Sequence, residues 1–178
     1  ELSKVNKKLQ KLYKVIGGEW STPEEYWEAV YTVMRLDNDK RVKIISRIFE
    51  YAINHHNMRA GEDLIMISSF IQHIHYLIPN NYFEIHAPLD SILKDEGDCD
   101  TKSLLIGMIL KNLGYETLIL YSSHYRHAMA GINLNGFGDY ITYKGKKYSI
   151  LETTAKGWLI GMLPPDVSDL RYWYPIEL

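Results

Sequence analysis

The sequence holds a single cysteine among its 178 residues, and that scarcity excludes a good deal. No internal disulfide framework can form, and a zinc site made only of thiolates is impossible within one chain. Long apolar runs are also missing, since none approaches the ~18 residues of a membrane span. Neither sign of charge dominates: 20 Lys and Arg stand against 22 Asp and Glu, a formal net charge of −2. A nucleic-acid-binding domain draws on a basic surface, so nucleic acid is not the expected partner. Internal repeats, low-complexity tracts and the acidic loop pattern of a calcium site are absent too, and no cofactor is expected. What remains is ordinary globular composition, 46% hydrophobic and 24% charged, enough for one domain with a sizeable core. The lone cysteine does not fix the compartment: a cytosolic protein and a bacterial envelope domain both fit. A start at Glu1 rather than methionine fits removal of an upstream signal or anchor.

The chain is organised around Asp95-Glu96-Gly97-Asp98-Cys99-Asp100-Thr101-Lys102-Ser103-Leu104-Leu105. Asp98 is a natural N-cap, whose carboxylate can accept the free N–H groups of a first helical turn. From Leu104 the run LLIGMILKNL is apolar on almost every face, which reads as a buried helix, and Gly114 ends it. Cys99 thus stands at the positive end of a helix, where the dipole and unpaired N–H groups favour a thiolate. Asp98 and Asp100 oppose that, so a second cation is needed.

Residues 1–16 carry Leu2, Val5, Leu9, Leu12 and Ile16 in a helical stripe, with lysines on the other faces. A surface helix with a solvated basic face accounts for this, and contact with a partner or a membrane surface is the alternative. Ser21-Thr22-Pro23-Glu24-Glu25 starts a helix to about Leu36, which Asp37-Asn38-Asp39 is expected to break. A further helix is expected at Val42–Asn54 with Ile44, Ile45, Ile48, Phe49 and Ala52 inward, and another from Glu62 to about Tyr76. His73 and His75, two apart, point to different sides of a helix and make a poor metal pair. Gln72 is a polar amide in an apolar helix, either hydrogen-bonded within the fold or facing a cleft. A loop spans Pro79–Pro88, and Leu89–Leu93 forms a short turn or helix. Beyond Gly114 the texture turns to strands: Tyr115–Tyr121, His127–Leu134, and a hairpin of Asp139–Tyr143 and Lys146–Leu151 turning at Lys144-Gly145. Helices first and strands afterwards predict an α+β domain with an antiparallel sheet packed on the Cys99 helix. Trp158–Leu178 is expected to be irregular. Its aromatics fit a peptide groove or, more simply, core.

A cysteine nucleophile needs a base, and the base needs a third group to fix its tautomer. His127 opens a strand that can return over the N-terminus of the Cys99 helix, with small neighbours Ala128 and Ala130; His124 competes with it. Glu152 follows the apolar end of strand Lys146–Leu151 and precedes Thr153-Thr154.

These segments, in this order, resemble the transglutaminase-like (papain-like) superfamily. Gly97 to Leu105 is similar to its G-D-C-E/D-x-K/A-x-L-L nucleophile motif, and His127-Ala128-Met129 to its H-A-x strand. Glu152-Thr153-Thr154 stands where most members have aspartate followed closely by threonine. Phe70-Ile71-Gln72 with Tyr76, and Tyr148 to Gly161, resemble a prokaryotic branch. The resemblance covers about residues 62–163, which implies a transglutaminase-like domain at 61–178 and an N-terminal helical region, 1–60, packed on or appended to it. Carried over, Cys99 is the nucleophile, His127 the general base and acid, and Glu152 the orienting carboxylate, with Glu in place of the usual Asp. The Cys99 N–H and, by analogy, Gln72 supply the oxyanion donors. The implied chemistry is cysteine-dependent acyl transfer or hydrolysis on peptide or protein amides, of peptidase, deamidase or transglutaminase type. The alternatives are a binding or scaffold domain that keeps the fold and a metal site at Cys99, which lacks tight ligand spacing.

Overall fold

The computed structural model describes residues 7, 8, 10, 22–77 and 86–178. The expected helix over 1–16 falls almost wholly outside them, although Lys7, Lys8 and Gln10 are helical and Lys8 pairs with Asp37. Most of the expected loop at 79–88 lies outside them as well.

The first long element is one helix, α1 (Pro23–His55), rather than two. Thr22 caps it by accepting the Glu25 N–H at 3.2 Å. The expected break at Asp37-Asn38-Asp39 does not occur because each side chain finds a partner compatible with the helix. Asn38 is fully buried and donates to the Met34 carbonyl at 2.8 Å, while Asp39 accepts from Lys43 one turn on at 2.8 Å. The unbroken helix puts Val30, Met34, Asn38, Val42 and Ser46 in one inward row at four-residue steps. Ile44 and Ile48, expected inside, are therefore turned outward and exposed.

Helix α2 (Glu62–His73) stops three residues short of Tyr76. Ile74 turns extended, and strand β1 (His75–Tyr76) pairs in parallel with β2 (Glu96–Gly97). Between them lies the short helix α3 (Pro88–Lys94), where a turn or helix is expected. Helix α4 (Cys99–Asn112) follows, capped by Asp98, which accepts the Thr101 N–H at 2.7 Å.

The sheet is mixed in sequence order but antiparallel at every pairing. Its strands are β3 (Thr117–Ser122), β4 (His127–Asn133), β5 (Tyr140–Tyr143), β6 (Lys146–Leu151) and β7 (Tyr174–Glu177), in the order β5-β6-β4-β3-β7. The β5–β6 hairpin turns at Lys144-Gly145, both with positive φ, as a two-residue hairpin turn requires. Strand β7 corrects the expectation of an irregular tail. Pro175 suits it because β7 is an edge strand, where a missing N–H costs no ladder bond.

Helix α4 lies between α1 and the sheet, which explains why its sequence is apolar all round. Leu104, Leu105, Ile106, Ile109 and Leu110 are buried together with Met34 and Val42 of α1 and Ile119, Ala130 and Leu151 of the sheet. Alternate residues of the same strands (Leu118, Leu120, Met129, Ile150) face the other way, under Val167 and Trp173. Burying a side chain of this size is worth about 1.5–3 kcal/mol, so these two layers outweigh any local preference. One close backbone approach shapes the edge near the site. Gly138 and Gly161 both have positive φ, and a Cβ on Gly138 would fall 2.4 Å from the Gly161 carbonyl oxygen. Among the described residues, no helix is long and apolar enough to cross a membrane.

Candidate active site

His127 and Glu152 meet where β4 begins and β6 ends, and Cys99 heads the helix packed beside them. Cys99 is the first residue of α4 and His127 the first of β4, while Glu152 comes directly after β6. Helix α4 is fastened to β4 by Ser103, whose hydroxyl donates to the Ala128 carbonyl at 3.1 Å and meets Thr153 Oγ1 at 3.0 Å. The sulfur of Cys99 receives a hydrogen bond from the Ala128 N–H, the residue next to His127. The His127 Nε2 and Glu152 Oε2 atoms are 2.8 Å apart, on side chains 15% and 4% exposed. Thr154 completes the carboxylate shell, with its N–H and its hydroxyl each donating to Glu152 Oε1 at 2.6 Å. The longer Glu side chain is therefore fully engaged. Because Nε2 faces Glu152, the Nδ1 edge of the ring is left for a second proton partner. His124, the competitor, is exposed and stacked on Tyr172 with ring centroids 3.9 Å apart, and it takes no part.

The electrostatics reverse one expectation. Cys99 is 7% exposed, and burial pushes its thiol up rather than down. The Asp100 and Asp98 carboxylates add to this, and the Ala128 N–H opposes them without winning. The thiol donates to Asp100 Oδ2 at 3.6 Å, a contact that favours the protonated sulfur. Asp100 is itself raised to about 6, by burial first and then by Asp98, against hydrogen bonds from Tyr31 and Cys99 and the nearby His127. For Glu152, burial opposes ionisation, yet the His127 and Thr154 contacts hold the carboxyl below the ordinary glutamate range. The helix dipole argument is sound in sign, but loss of water at the helix end is larger than the ~0.3–1 kcal/mol the dipole supplies at an exposed end.

Gln72 resolves to a structural role. Its Nε2 donates to the Glu152 carbonyl at 2.9 Å and to the Trp158 carbonyl at 2.8 Å, which uses both amide hydrogens and leaves none for an oxyanion. Gln72 instead holds the segment that carries Glu152. Three further residues reach the site that spacing does not single out. Tyr31 of α1 donates to Asp100 Oδ1. Tyr76 stands close enough to Cys99 for the two to push each other's ionisation, and it lines the cleft beside His127. Lys102 is fully buried and donates through Nζ to the Ile74 carbonyl at 2.7 Å. The motifs that contain Tyr76 and Lys102 are the sequence signal for those two, and Tyr31 has none.

A cleft of about 400 Å³ opens beside His127 and Glu152, walled by Tyr76, Tyr125, Arg126 and Trp158 among others. Trp158 therefore faces a groove. Trp173 belongs to the core, with its indole N–H donating to the Val167 carbonyl at 2.9 Å and its ring 6.0 Å from that of His127. Among the described residues, no group of three or more His, Cys, Asp or Glu side chains is arranged to hold a metal ion. Comparison with family models, with curated proteins and with solved structures finds no match to this chain.

Proposed function

We propose that the protein is a cysteine-dependent acyl-transfer enzyme of the transglutaminase-like superfamily, acting on peptide or protein amide bonds. The observation that carries this reading is the 2.8 Å His127–Glu152 contact at the mouth of a cleft, with the Cys99 sulfur on the N–H of the neighbouring Ala128. The α+β architecture, with the Cys99 helix against an antiparallel sheet, supports it.

The upward push of burial on the Cys99 thiol argues for general-base chemistry rather than a preformed ion pair. His127 accepts the thiol proton as sulfur adds to the amide carbonyl, and Glu152 stabilises the imidazolium. The tetrahedral intermediate then expels the amine, which leaves with the proton from His127, and a Cys99 thioester remains. Water as acceptor gives a peptidase or deamidase; a lysine amine gives a crosslink. Water is favoured, since Tyr76 and Arg126 at the cleft are solvent-exposed.

One observation favours a second reading. A buried, neutral thiol also suits a binding domain that keeps the fold without turnover. Incubation with glutamine-containing peptides separates the two, with ammonia release and Cys99 acyl adducts followed by mass spectrometry. Acyl transfer predicts Cys99-linked adducts and turnover that disappears in Cys99→Ala. In His127→Ala, turnover falls by about 10²–10⁴-fold, the usual contribution of a positioned general base. Turnover and adducts no different from Cys99→Ala refute catalysis and leave the binding domain.

A further inference from the structure

With Gln72 committed to two carbonyls, the side-chain donor for an oxyanion has to be sought elsewhere. The Cys99 N–H, at the first position of α4, is one donor aimed at the site. Most of the other hydroxyls nearby are occupied. Ser103 bonds Ala128 and Thr153, Thr154 donates to Glu152, and Tyr31 donates to Asp100. Tyr76 differs from all of these. It lines the cleft together with His127 and Glu152, and its phenol is near enough to feel the charge of Cys99.

The backbone around Tyr76 is fixed to the backbone leading into Cys99. The His75 N–H donates to the Asp95 carbonyl at 3.2 Å, and the Leu77 N–H to the Gly97 carbonyl at 3.1 Å. Tyr76 stands directly opposite Gly97 in the parallel pairing. Buried Lys102, one turn along α4, clamps the Ile74 carbonyl. A two-residue parallel pairing buried by no other strand would be marginal alone, and the lysine supplies what it lacks. Tyr76 and Cys99 are thereby carried on one rigid unit, as a preorganised site requires.

We propose that Tyr76 is a catalytic residue, its phenolic O–H donating a hydrogen bond to the oxyanion formed when Cys99 adds to an acyl carbonyl. The inference rests on the acyl-transfer reading above. In that step the sulfur–carbon bond forms, the carbonyl π pair moves onto oxygen, and the thiol proton passes to His127. Tyr76 keeps its own proton throughout and only shares it. Burial and the nearby Cys99, Asp98 and Asp100 push the phenol upward, which keeps it a donor across the working pH range. When the C–O⁻ pair falls back, the bond to the leaving group breaks and Tyr76 releases the restored carbonyl.

The test compares two reactions of the same sulfur in the intact protein and in Tyr76→Phe. p-Nitrophenyl acetate acylates Cys99 through an oxyanion and releases nitrophenolate. Iodoacetamide alkylates it by displacing iodide at a saturated carbon, with no oxyanion. The phenyl ring preserves the packing of Tyr76, and a thermal melt of both proteins checks the fold. The ratio of acylation to alkylation rates should fall by about 10²–10³-fold in Tyr76→Phe, the loss typical of one oxyanion donor. An unchanged ratio overturns the assignment, whether both rates stay put or both change together, because Tyr76 then acts on access or ionisation alone. If acylation of the intact protein equals that of Cys99→Ala, the acyl-transfer reading itself fails and the donor role with it.

Discussion

Replacing Asp100 by asparagine isolates the charge that adds most to the effect of burial on the Cys99 thiol. Asparagine preserves the shape of the side chain and an acceptor for the Tyr31 hydroxyl, and it removes one negative charge 3.6 Å from the sulfur. At that separation two unit charges repel by about 4–5 kcal/mol at an effective dielectric of ~20, and by about 1 kcal/mol at the ~80 of bulk water. At about 1.4 kcal/mol per pK unit, the thiol should titrate roughly 1–3 units lower in Asp100→Asn. The assay is the rate of iodoacetamide alkylation of Cys99 across a pH series, with the midpoint compared between the two proteins. A midpoint that does not move refutes the claim that Asp100 raises the thiol. The same substitution has a signature in stability. A carboxyl raised from 3.8 to about 6 binds its proton more tightly in the folded state than in the unfolded one. Stability on this account is full below about pH 4 and falls as pH rises towards about 6, by roughly 3 kcal/mol in all. Asp98 shifts in the same direction, so the slope should shrink in Asp100→Asn rather than vanish.

Lys102 gives the mirror image. Burial lowers its ammonium from 10.5 to about 8, so the folded state sheds the proton first and wild-type stability should rise between about pH 8 and 10.5. Lys102→Met, followed by urea denaturation, should lack that rise; an identical pH slope in both proteins refutes the buried-cation account. Gly138→Ala should cost at least about 2 kcal/mol, because its Cβ would meet backbone at 2.4 Å as well as adopting positive φ. Gly145→Ala, with positive φ and nothing within 4 Å, should cost only about 1 kcal/mol, and equal losses at both positions would contradict the close-approach argument.

The Cys99 helix and its strands are legible because their signals are local. Asp98 caps, Gly114 ends, and the alternation in β3, β4 and β6 follows from one face meeting α4 and the other meeting Trp173 and Val167. His127 and Glu152 are legible as a pair because each sits at a strand boundary. What the sequence conceals depends on tertiary contact. Asn38 looks like a helix breaker until its amide is seen bonded to Met34 inside a buried row. Ile44 and Ile48 look like core only if a new helix starts at Val42, for a continuous helix fixes a different phase. The Cys99 ionisation is misjudged because the dipole and the opposing aspartates can be inferred from position, whereas how far the helix end is shut off from water cannot. Tyr76 and Lys102 stand in the sequence motifs, but their places beside Cys99 and the Ile74 carbonyl are set only by the β1–β2 pairing.

The Gln72 amide also bears on the order of folding. It ties α2 to two carbonyls that lie 80 and 86 residues further along the chain, whereas the β3–β4 and β5–β6 hairpins close over short loops. Contacts across long separations carry the larger loop-closure cost and tend to come late. The hairpins and α4 are thus expected to collapse first, and the Gln72 clamp, which seats Glu152 and the Trp158 wall, to close afterwards. During refolding the sulfur should pass through an interval in which its helix exists but its cleft does not. Pulses of alkylating reagent at increasing delays would time that interval directly, as a loss of labelling that lags behind recovery of the helical signal.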